Sequence, residues 1–575
     1  MRRVRRDRPN KAVSPFSLLA PVLPHHSTVT PTRLISIQEP MKFTSSRRCI
    51  TKNRRFCDLP EDLLRLIFQC SDPLDLANLG KTCKPLYRLS SERITWLTAF
   101  KDVMAINDMF IPPNAIEECT AGALKYAATA PSRMLSLILD YPLLKKDPSK
   151  LFTHRFVTSE PVHDLFLIPG GCYLAILQDG RLDIWELNMS RISVNRFIAS
   201  GVCRQDARDI LSVFRVGGTS PLGLRIATGD KAAFYDTRIN VYEYRPGMCD
   251  IPLIAELRTR GIITSASLRG NLCAVLTDES LVVWDYLHGL YASWPISPDD
   301  SFDKIFLDDD YLTISGAKLL NIWELPQLQT CPARADGPPP FTSESMLPPN
   351  STYITSGQGA GSNDRFYPVR LHDWYNSNPE DLFTDTISNN KLTRHRLQRS
   401  QASGKPTLSG DSISIGPLGL RDAPVNTLKE HRLCNGFTVT GYNNEDSEAQ
   451  ALVAPRHLVS SDLQTPRDQH SAKAVLLSSQ VQDERWSFDP TSGRLVYVDA
   501  SEPDLRTICV VDLLKALENA QRHEQRKSAT EQSPTAAELP RIIKEWVFKR
   551  YLKLKQILLV IREYLRDRIR NNIVN

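Results

Sequence analysis

Apolar residues at helical spacing mark the first folded part of the chain. Between residues 59 and 97 they recur every three or four positions in three short runs, with breaks at Asp72-Pro73 and at Pro85. Asp72 can cap a helix and Pro73 suits its first position, so a second helix is expected to begin there. The apolar positions are Leu63, Leu64, Ile67 and Phe68 in the first run, Leu74, Leu76, Leu79 and Cys83 in the second, and Leu86, Leu89, Ile94, Trp96 and Leu97 in the third. The pattern predicts three short amphipathic helices, too small to form a stable domain on their own.

Helical spacing continues from residue 98 to residue 150. We interpret this stretch as a helical linker that packs on the first three helices. It is expected to act as a stiff bridge to the rest of the chain.

The hydrophobic period changes near residue 151. Short runs of Val, Ile, Leu, Phe and Tyr then alternate with turn residues about every 8 to 12 positions, which is typical of antiparallel all-β structure. One phrase recurs, as LAILQDGRLDIWEL at 174–187, RIATGDKAAFYDT at 225–237, AVLTDESLVVWDY at 274–286, LTISGAKLLNIWEL at 312–325 and, more loosely, at 494–514. Each of the first four copies predicts two strands joined by a tight turn, at Asp179-Gly180, Gly229-Asp230, Asp278-Glu279 and Ser315-Gly316. The aromatic residues that end these copies, Trp185, Tyr235, Trp284 and Trp323, are 50, 49 and 39 positions apart (235−185, 284−235 and 323−284), and such periods indicate propeller blades.

The first helical stretch resembles the F-box family. The matching residues are Leu59-Pro60-Glu61, the Leu-Leu-x-x-Ile-Phe run at 63–68, Asp72-Pro73-Leu74-Asp75-Leu76, Cys83 and Trp96. The resemblance implies that residues 57–97 dock on a Skp-type adaptor of a cullin-containing ubiquitin ligase, while the rest of the chain selects the substrate. It implies as docking residues Leu59, Pro60, Leu63, Leu64, Ile67, Phe68, Leu74, Leu76 and Leu79. The alternative is an ordinary helical bundle whose apolar stripes form only its own core.

The repeated β phrase resembles the WD-repeat propellers. Trp185-Glu186, Tyr235-Asp236, Trp284-Asp285 and Trp323-Glu324 stand in place of that family's Trp-Asp dipeptide, while its Gly-His dipeptide is absent from these repeats. The resemblance implies an all-β propeller over 151–514, with four strands in each blade, about seven blades and the aromatic residues in the core. A pair of β-sandwiches is the alternative, but it would not explain the repeated phrase. Propellers of this family often bind a phosphorylated peptide through arginines, and Arg181, Arg225, Arg269 and Arg506 lie near predicted turns.

Polar stretches interrupt the β region and flank it. Residues 326–350 and 384–424 are interpreted as surface insertions, and 515–538 as a flexible linker. Residues 539–573 have the spacing of a basic amphipathic helix, which would pack on its own protein, pair with a partner, touch an acidic surface or lie on a membrane. Residues 1–56 are interpreted as a disordered basic tail, with a nuclear signal, a mitochondrial transit peptide and a start at Met41 as alternatives. The predicted chain is therefore multidomain: a small all-α F-box with a helical linker, an all-β propeller and a C-terminal amphipathic helix.

Composition limits the classes of function. The net charge of +6 at pH 7 is modest for 575 residues and is concentrated at the ends, so no nucleic-acid partner is expected. The 12 cysteines include no C-x-x-C pair, which favours reduced thiols in the cytoplasm or nucleus over a zinc or disulfide framework. No apolar run approaches the ~20 residues that span a bilayer. No nucleophile elbow, zinc-protease motif or P-loop is present, so we expect neither catalysis nor a cofactor or metal.

Three functions fit these observations. The first is a substrate-recognition subunit of an SCF-type ubiquitin ligase, with a Skp-type adaptor, a cullin and an unidentified protein substrate as partners. The second is a non-catalytic scaffold in which the F-box and the propeller act outside a ligase. The third is a propeller enzyme of another class whose helices only imitate the F-box motif.

Overall fold

The computed structural model describes most of the chain between residues 59 and 515. The described ranges are 59–111, 113–140, 153–187, 195–205, 207–216, 223–229, 237–297, 302–308, 310–316, 319–330, 338, 340–343, 349, 351–354, 367–369, 383–388, 391–399, 406–417, 428–435, 437–443, 449–455, 473–478, 481, 485–499, 501 and 504–515. The predicted basic tail, the C-terminal amphipathic helix and all but the first residue of the predicted flexible linker lie outside these ranges.

The N-terminal part of the described chain is helical. Its helices are α1 (Glu61–Gln69), α2 (Pro73–Leu79), α3 (Lys84–Ser90), α4 (Arg93–Ile106), α5 (Pro113–Glu117) and α6 (Ala121–Asp140). α6 packs on α2 and α4, and α1 packs on α4. The second helix begins where it was predicted to, and the Asp72 side chain accepts a hydrogen bond from the backbone N–H of Leu74 at 2.8 Å.

The third predicted helix is two helices. Pro85 was predicted to be a break, but it lies in the first turn of α3, where a missing N–H costs no intrahelical hydrogen bond. The predicted break between the second and third helices falls just before it, between Leu79 and Lys84, and a further break at Glu92, whose backbone is extended, separates α3 from α4. Trp96 is therefore a residue of α4, and it is buried.

The remainder of the described chain is built from antiparallel strands. In chain order they are β1 (Thr153–Val157), β2 (Val162–Leu167), β3 (Tyr173–Gln178), β4 (Arg181–Leu187), β5 (Asn195–Val202), β6 (Asp209–Val216), β7 (Gly223–Gly229), β8 (Thr237–Tyr244), β9 (Leu253–Thr259), β10 (Ile263–Arg269), β11 (Leu272–Thr277), β12 (Ser280–Asp285), β13 (Leu290–Pro295), β14 (Phe302–Leu307), β15 (Tyr311–Gly316), β16 (Leu319–Glu324), β17 (Gln329–Thr330), β18 (Ser351–Ile354), β19 (Tyr367–Val369), β20 (Phe383–Ser388), β21 (Lys391–Arg399), β22 (Pro406–Pro417), β23 (Leu428–Cys434), β24 (Phe437–Asn443), β25 (Ala449–Pro455), β26 (Lys473–Ser478), β27 (Trp486–Asp489), β28 (Arg494–Val498) and β29 (Thr507–Asp512).

These strands form a β-propeller. Six sheets are made of strands close in sequence: β2–β5, β6–β9, β10–β13 with β17 added at the edge, β14–β16 with β18, β19–β22, and β23–β26. A further sheet joins β1 to β29, β28 and β27, so the first strand of the array pairs with the last. The innermost strands pack side by side, with β2 between β6 and β27, and β10 between β6 and β14. The prediction of an all-β propeller is confirmed.

The repeated phrase forms the second and third strands of successive blades. The Asp179-Gly180 and Asp278-Glu279 turns join β3 to β4 and β11 to β12 as predicted. β15 includes Ser315 and Gly316, so that turn comes later than predicted. Trp284 and Trp323 are buried in the cores between blades, whereas Trp185 is only partly buried and contacts Phe156 and Phe197.

The copy at 225–237 was aligned wrongly. The third strand of this blade, β8, begins only at Thr237, and Tyr235 lies outside the described residues. Tyr244 pairs with Leu224 here, as Trp185 pairs with Leu174 in the preceding blade. β7 ends at Gly229, the first residue of the predicted Gly229-Asp230 turn. The connection from β7 to β8 is, however, longer than the two residues that were predicted.

The two predicted insertions have different outcomes. Residues 384–424 are not an insertion, because most of β20, together with β21 and β22, falls within them and forms a blade with β19. These strands are rich in polar residues. They lack the alternation of apolar and polar positions on which the prediction of strands relied. The described part of 326–350 returns to the edge of β13, where β17 pairs and where Thr342 accepts from and donates to the backbone of Ser293.

In the part of the chain that the structure describes, no helix is both long enough and apolar enough to cross a membrane.

Candidate functional site

The predicted docking residues divide into two groups. Leu64, Phe68, Leu76 and Leu79 are buried within the helices, so they form the core under the surface and offer no area to a partner. The others reach solvent: Leu63 is 47% exposed, Pro60 is exposed, and Leu59, Ile67 and Leu74 are partly exposed. We name these five residues the docking face. The prediction gave contact roles to all nine residues, because helical spacing alone does not distinguish a core residue from its exposed neighbour.

A network of charged side chains ties α1 to the two helices beside it. Arg65 lies 2.8 Å from Glu61 and 2.7 Å from Glu92, while Arg88 lies 2.8 Å from the second oxygen of Glu61. The hydrogen bond from Arg65, together with the charges of both arginines, holds the pKa of Glu61 below its usual value. These contacts fix the orientation of α1, and therefore the direction in which Leu63 points.

The side chain of Trp96 contacts residues of neighbouring helices. Its indole Nε1 donates to the carbonyl oxygen of Ser90 at 2.5 Å, and the ammonium of Lys125 lies 5.3 Å from its ring centre. Arg93 donates to the carbonyl oxygens of Ile116, Glu117 and Cys119 at the end of α5. A single aromatic residue and a single arginine thus connect α3, α4, α5 and α6.

Two exposed apolar residues were missed as candidates for contact with a partner. Tyr87 on α3 is 65% exposed, and Ile94 on α4 is 56% exposed. Ile94 was predicted to belong to the buried apolar stripe, and the division of that run into two helices explains its exposure. Tyr87 lies off the stripe formed by Leu86 and Leu89, and that position was the available sequence signal.

Polar contacts, most of them partly buried, attach the helices to the propeller. Asn107, at the end of α4, is fully buried; its Nδ2 donates to Asn435 Oδ1 at 2.9 Å, and its Oδ1 accepts from the backbone N–H of Asn435 at 2.6 Å. Arg215 of β6 pairs with Asp108 at 2.5 Å, and the backbone N–H of Phe110 donates to Pro169. Each contact reaches a different blade.

An apolar contact reinforces this attachment. Ala130, Met134, Leu135 and Ile138 of α6 pack in one cluster with residues of β23–β29, among them Trp486 and Leu495. The described helices and the propeller belong to one compact unit. The helical linker is therefore an integral part of the propeller.

The helices occupy one face of the propeller. They contact the turns that follow the first strand of a blade: Gly170 lies beside Met109, Asn435 beside Asn107, and Gly493 beside Met134. The positive φ angles of Gly170 and Gly493, +100° and +68°, suit glycine at these turns. The turns between the second and third strands, such as Asp179-Gly180, lie at the opposite ends of the strands and so on the other face.

The four arginines noted near turns are engaged within the chain. Arg181 pairs with Asp183 at 3.0 Å, Arg225 with Glu243 at 3.1 Å, Arg269 with Asp308 at 3.9 Å and Arg506 with Asp504 at 3.7 Å. Arg225 and Arg269 are largely buried. These side chains therefore do not form a ring of open arginines for a phosphorylated peptide.

One known family matches part of the helical region. A family model described as F-box-like matches residues 56–101. The chain thus combines an F-box-like domain at residues 56–101 with further helices and a β-propeller. No curated protein sequence matches the chain. Among the described residues, no group of three or more His, Cys, Asp or Glu side chains is placed to hold a metal ion.

Several solved structures are similar to about three-fifths of this chain, at 10% identity. They include a humanized mutant of the Chaetomium thermophilum Polycomb Repressive Complex 2 bound to the inhibitor GSK126 (10% identity, TM-score 0.37, 62% of this chain and 96% of that one). Kluyveromyces lactis Hsv2 is also similar, at 10% identity and a TM-score of 0.35 over 61% of this chain and 97% of that one. The WD40 domain of SCAP from fission yeast is similar at 10% identity and a TM-score of 0.32, over 62% of this chain and 83% of that one.

Proposed function

We propose that the chain is the substrate-recognition subunit of an SCF-type cullin ubiquitin ligase. The docking face binds a Skp-type adaptor, the adaptor links the chain to a cullin, and the propeller binds the protein to be ubiquitinated. The chain itself has no catalytic role, because ubiquitin is transferred by an enzyme held elsewhere in the complex. These partners place it in the cytoplasm, the nucleus or both.

The observation that carries the proposal is the rigid attachment of the F-box-like domain to one face of a propeller. A receptor must hold its substrate near the transferring enzyme, since a fixed separation replaces a bimolecular encounter with a local one. The Asn107–Asn435 contact and the apolar cluster around α6 supply that rigidity. The propeller face away from the helices is left for the substrate.

The exposed apolar side chains of α1 supply the second argument. Leu63 projects from a helix whose orientation is fixed by the Arg65 ion pairs, with Ile67 one turn further along. A preoriented apolar side chain at the centre of an interface typically contributes about 2 kcal/mol or more to binding.

The direct test is the affinity of the full chain for a Skp-type adaptor, measured by titration calorimetry. Leu63→Ala combined with Ile67→Ala should weaken binding by about 2 kcal/mol or more for each residue, if both are central contacts. The matched control is Ile106→Ala, because Ile106 is 61% exposed on α4 and lies outside the docking face. Unchanged affinity in the double variant would refute the docking face.

A second measurement separates the ligase from the scaffold. Tagged wild-type chain and the Leu63→Ala, Ile67→Ala variant are recovered from cells, and their bound proteins are compared. Loss of both the adaptor and the cullin from the variant supports the ligase. An adaptor recovered with the wild type but without any cullin would favour the scaffold.

A further inference from the structure

A basic cleft lies between the end of α2, the helix α3 and the beginning of α6. Its volume is ≈ 530 Å³, within the range of ordinary ligand sites. The polar side chains that line it are Lys81, Lys84, Tyr87, Ser90, Ser91 and Lys125. No carboxylate lines the cleft, so its formal charge is +3 when all three lysines are protonated.

The three lysines differ from the arginines of the same helices. Arg65 and Arg88 pair with carboxylates, and Arg93 donates to three carbonyl oxygens. Among the residues that the structure describes, Lys81, Lys84 and Lys125 form no ion pair, and Lys81 donates only to the amide oxygen of Asn78 at 3.3 Å. The positive charge of the cleft is therefore uncompensated within the described chain.

The environment of Lys125 strengthens this conclusion. Its ammonium lies over the Trp96 ring and is partly removed from water. Burial lowers the pKa of Lys125, and the charge of Lys81 lowers it further. An anion placed between these two lysines would relieve their repulsion.

The hydroxyl groups define the polarity of the cleft wall. Ser90 and Ser91 both donate to the carbonyl oxygen of Tyr87, at 3.1 and 2.6 Å. The Tyr87 side chain is mostly exposed and offers an aromatic surface beside the lysines. The cleft can thus hold a charged side chain and an adjacent apolar one.

We propose that this cleft binds an acidic segment of a partner protein, through carboxylate or phosphate groups placed on Lys81, Lys84 and Lys125. The three lysines complement the negative charges of such a segment, and the exposed ring of Tyr87 offers a contact for an apolar side chain beside them. The cleft shares no residue with the docking face, so this inference does not rest on the proposed ligase function.

The test uses the full chain and three fluorescein-labelled peptides of the same length. One carries phosphoserine among glutamates, one carries serine among the same glutamates, and one carries serine among glutamines. Fluorescence anisotropy at low and moderate salt should show binding of the first two and little binding of the third, with affinity falling as salt rises. The ratio between the first two peptides tells phosphate recognition from carboxylate recognition.

Variants assign the binding to the cleft. Lys81→Ala combined with Lys84→Ala removes two exposed side chains and should weaken the acidic peptides about five-fold. Lys125→Gln should also weaken binding of the acidic peptides, and the glutamine side chain should still cover much of the Trp96 ring. The control is Lys101→Ala, which removes an exposed lysine of α4 outside the cleft and leaves the charged chain ends intact.

The outcomes are distinct. Selective weakening in the cleft variants supports the proposal. Equal affinity for wild type and the double lysine variant would overturn it, as would an equal loss in Lys101→Ala or equal binding of the glutamine peptide.

Discussion

Gly80 sets the distance between two helices of the F-box-like domain. A Cβ atom at this position would lie 2.2 Å from Ser90 Oγ and 3.1 Å from Ser90 Cβ. The backbone of Gly80 has ordinary helical angles, so glycine is needed here for space and not for conformation. The close approach of α2 and α3 that results also forms part of the wall of the basic cleft.

Gly80→Ala should therefore lower the free energy of unfolding by about 1–3 kcal/mol, the usual cost of overpacking. Urea denaturation of the full chain, followed by tryptophan fluorescence, measures the change. The same substitution in a Ser90→Gly background should cost less, because the clashing side chain is absent. An equal cost in both backgrounds would show that the loss arises elsewhere.

The sequence identified single residues well where chemistry is local. The Asp72-Pro73 helix start depends only on neighbouring atoms, and it was predicted correctly. Whether Leu63 or Leu64 faces solvent depends on which helix packs against α1, so the helical period could not decide it. For the same reason the period could not show that only five of the nine predicted docking residues reach solvent.

At the level of elements, a buried ion cluster joins the second blade to the third. Glu243 of β8 accepts from Arg225 at 3.1 Å and from Arg245 at 2.5 Å. Arg225 also donates to the carbonyl oxygen of Gly270 at 2.8 Å and to the hydroxyl of Tyr286 at 2.9 Å. Burial raises the pKa of Glu243, but the hydrogen bonds from Arg245 and Arg225 outweigh it, so the pKa lies below its usual value.

Because the folded-state pKa of Glu243 is depressed, its contribution to stability is present above the unfolded value of about 4.3 and is lost as pH falls through the folded value. Glu243→Gln should therefore be less stable than wild type at pH 7, and the difference should shrink between pH 5 and pH 3. Urea denaturation across this range measures it, with Glu279→Gln on an exposed turn as the control. A difference that does not change with pH would contradict the assignment.

Element prediction succeeded where apolar alternation was strong. β3, β4, β11 and β12 carry buried residues at most positions and were placed correctly. The blade over 384–424 was missed because Lys391–Arg399 is mostly polar, and pairing with neighbouring strands, which a single chain segment does not reveal, makes it a strand. Tyr235 was misassigned because a glycine marks where a strand ends but not how long the following connection is.

For the whole molecule, the contact between Asn107 and Asn435 decides how firmly the helices are held. Asn107→Ala would leave the backbone N–H of Asn435 without its side-chain acceptor and should cost about 1–3 kcal/mol of unfolding free energy. Amide hydrogen exchange should become faster at the end of α4 and in the β23–β24 turn. Ile106→Ala, which alters the exposed neighbour, should leave exchange there unchanged; equally fast exchange in both variants would contradict this role.

The pairing of β1 with β29 also has a consequence for synthesis of the chain. Val157 ends β1 and Thr507 begins β29, so 350 residues (507−157) separate the two strands that close the ring. At about 5–20 residues per second, the ribosome needs roughly 20–70 s to supply the closing partner. Throughout that interval β1 has an unpaired edge, and the apolar side of α6 lacks the partners from β23–β29 that cover it in the folded chain. The nascent protein thus presents the apolar side of α6 uncovered long before its propeller can close.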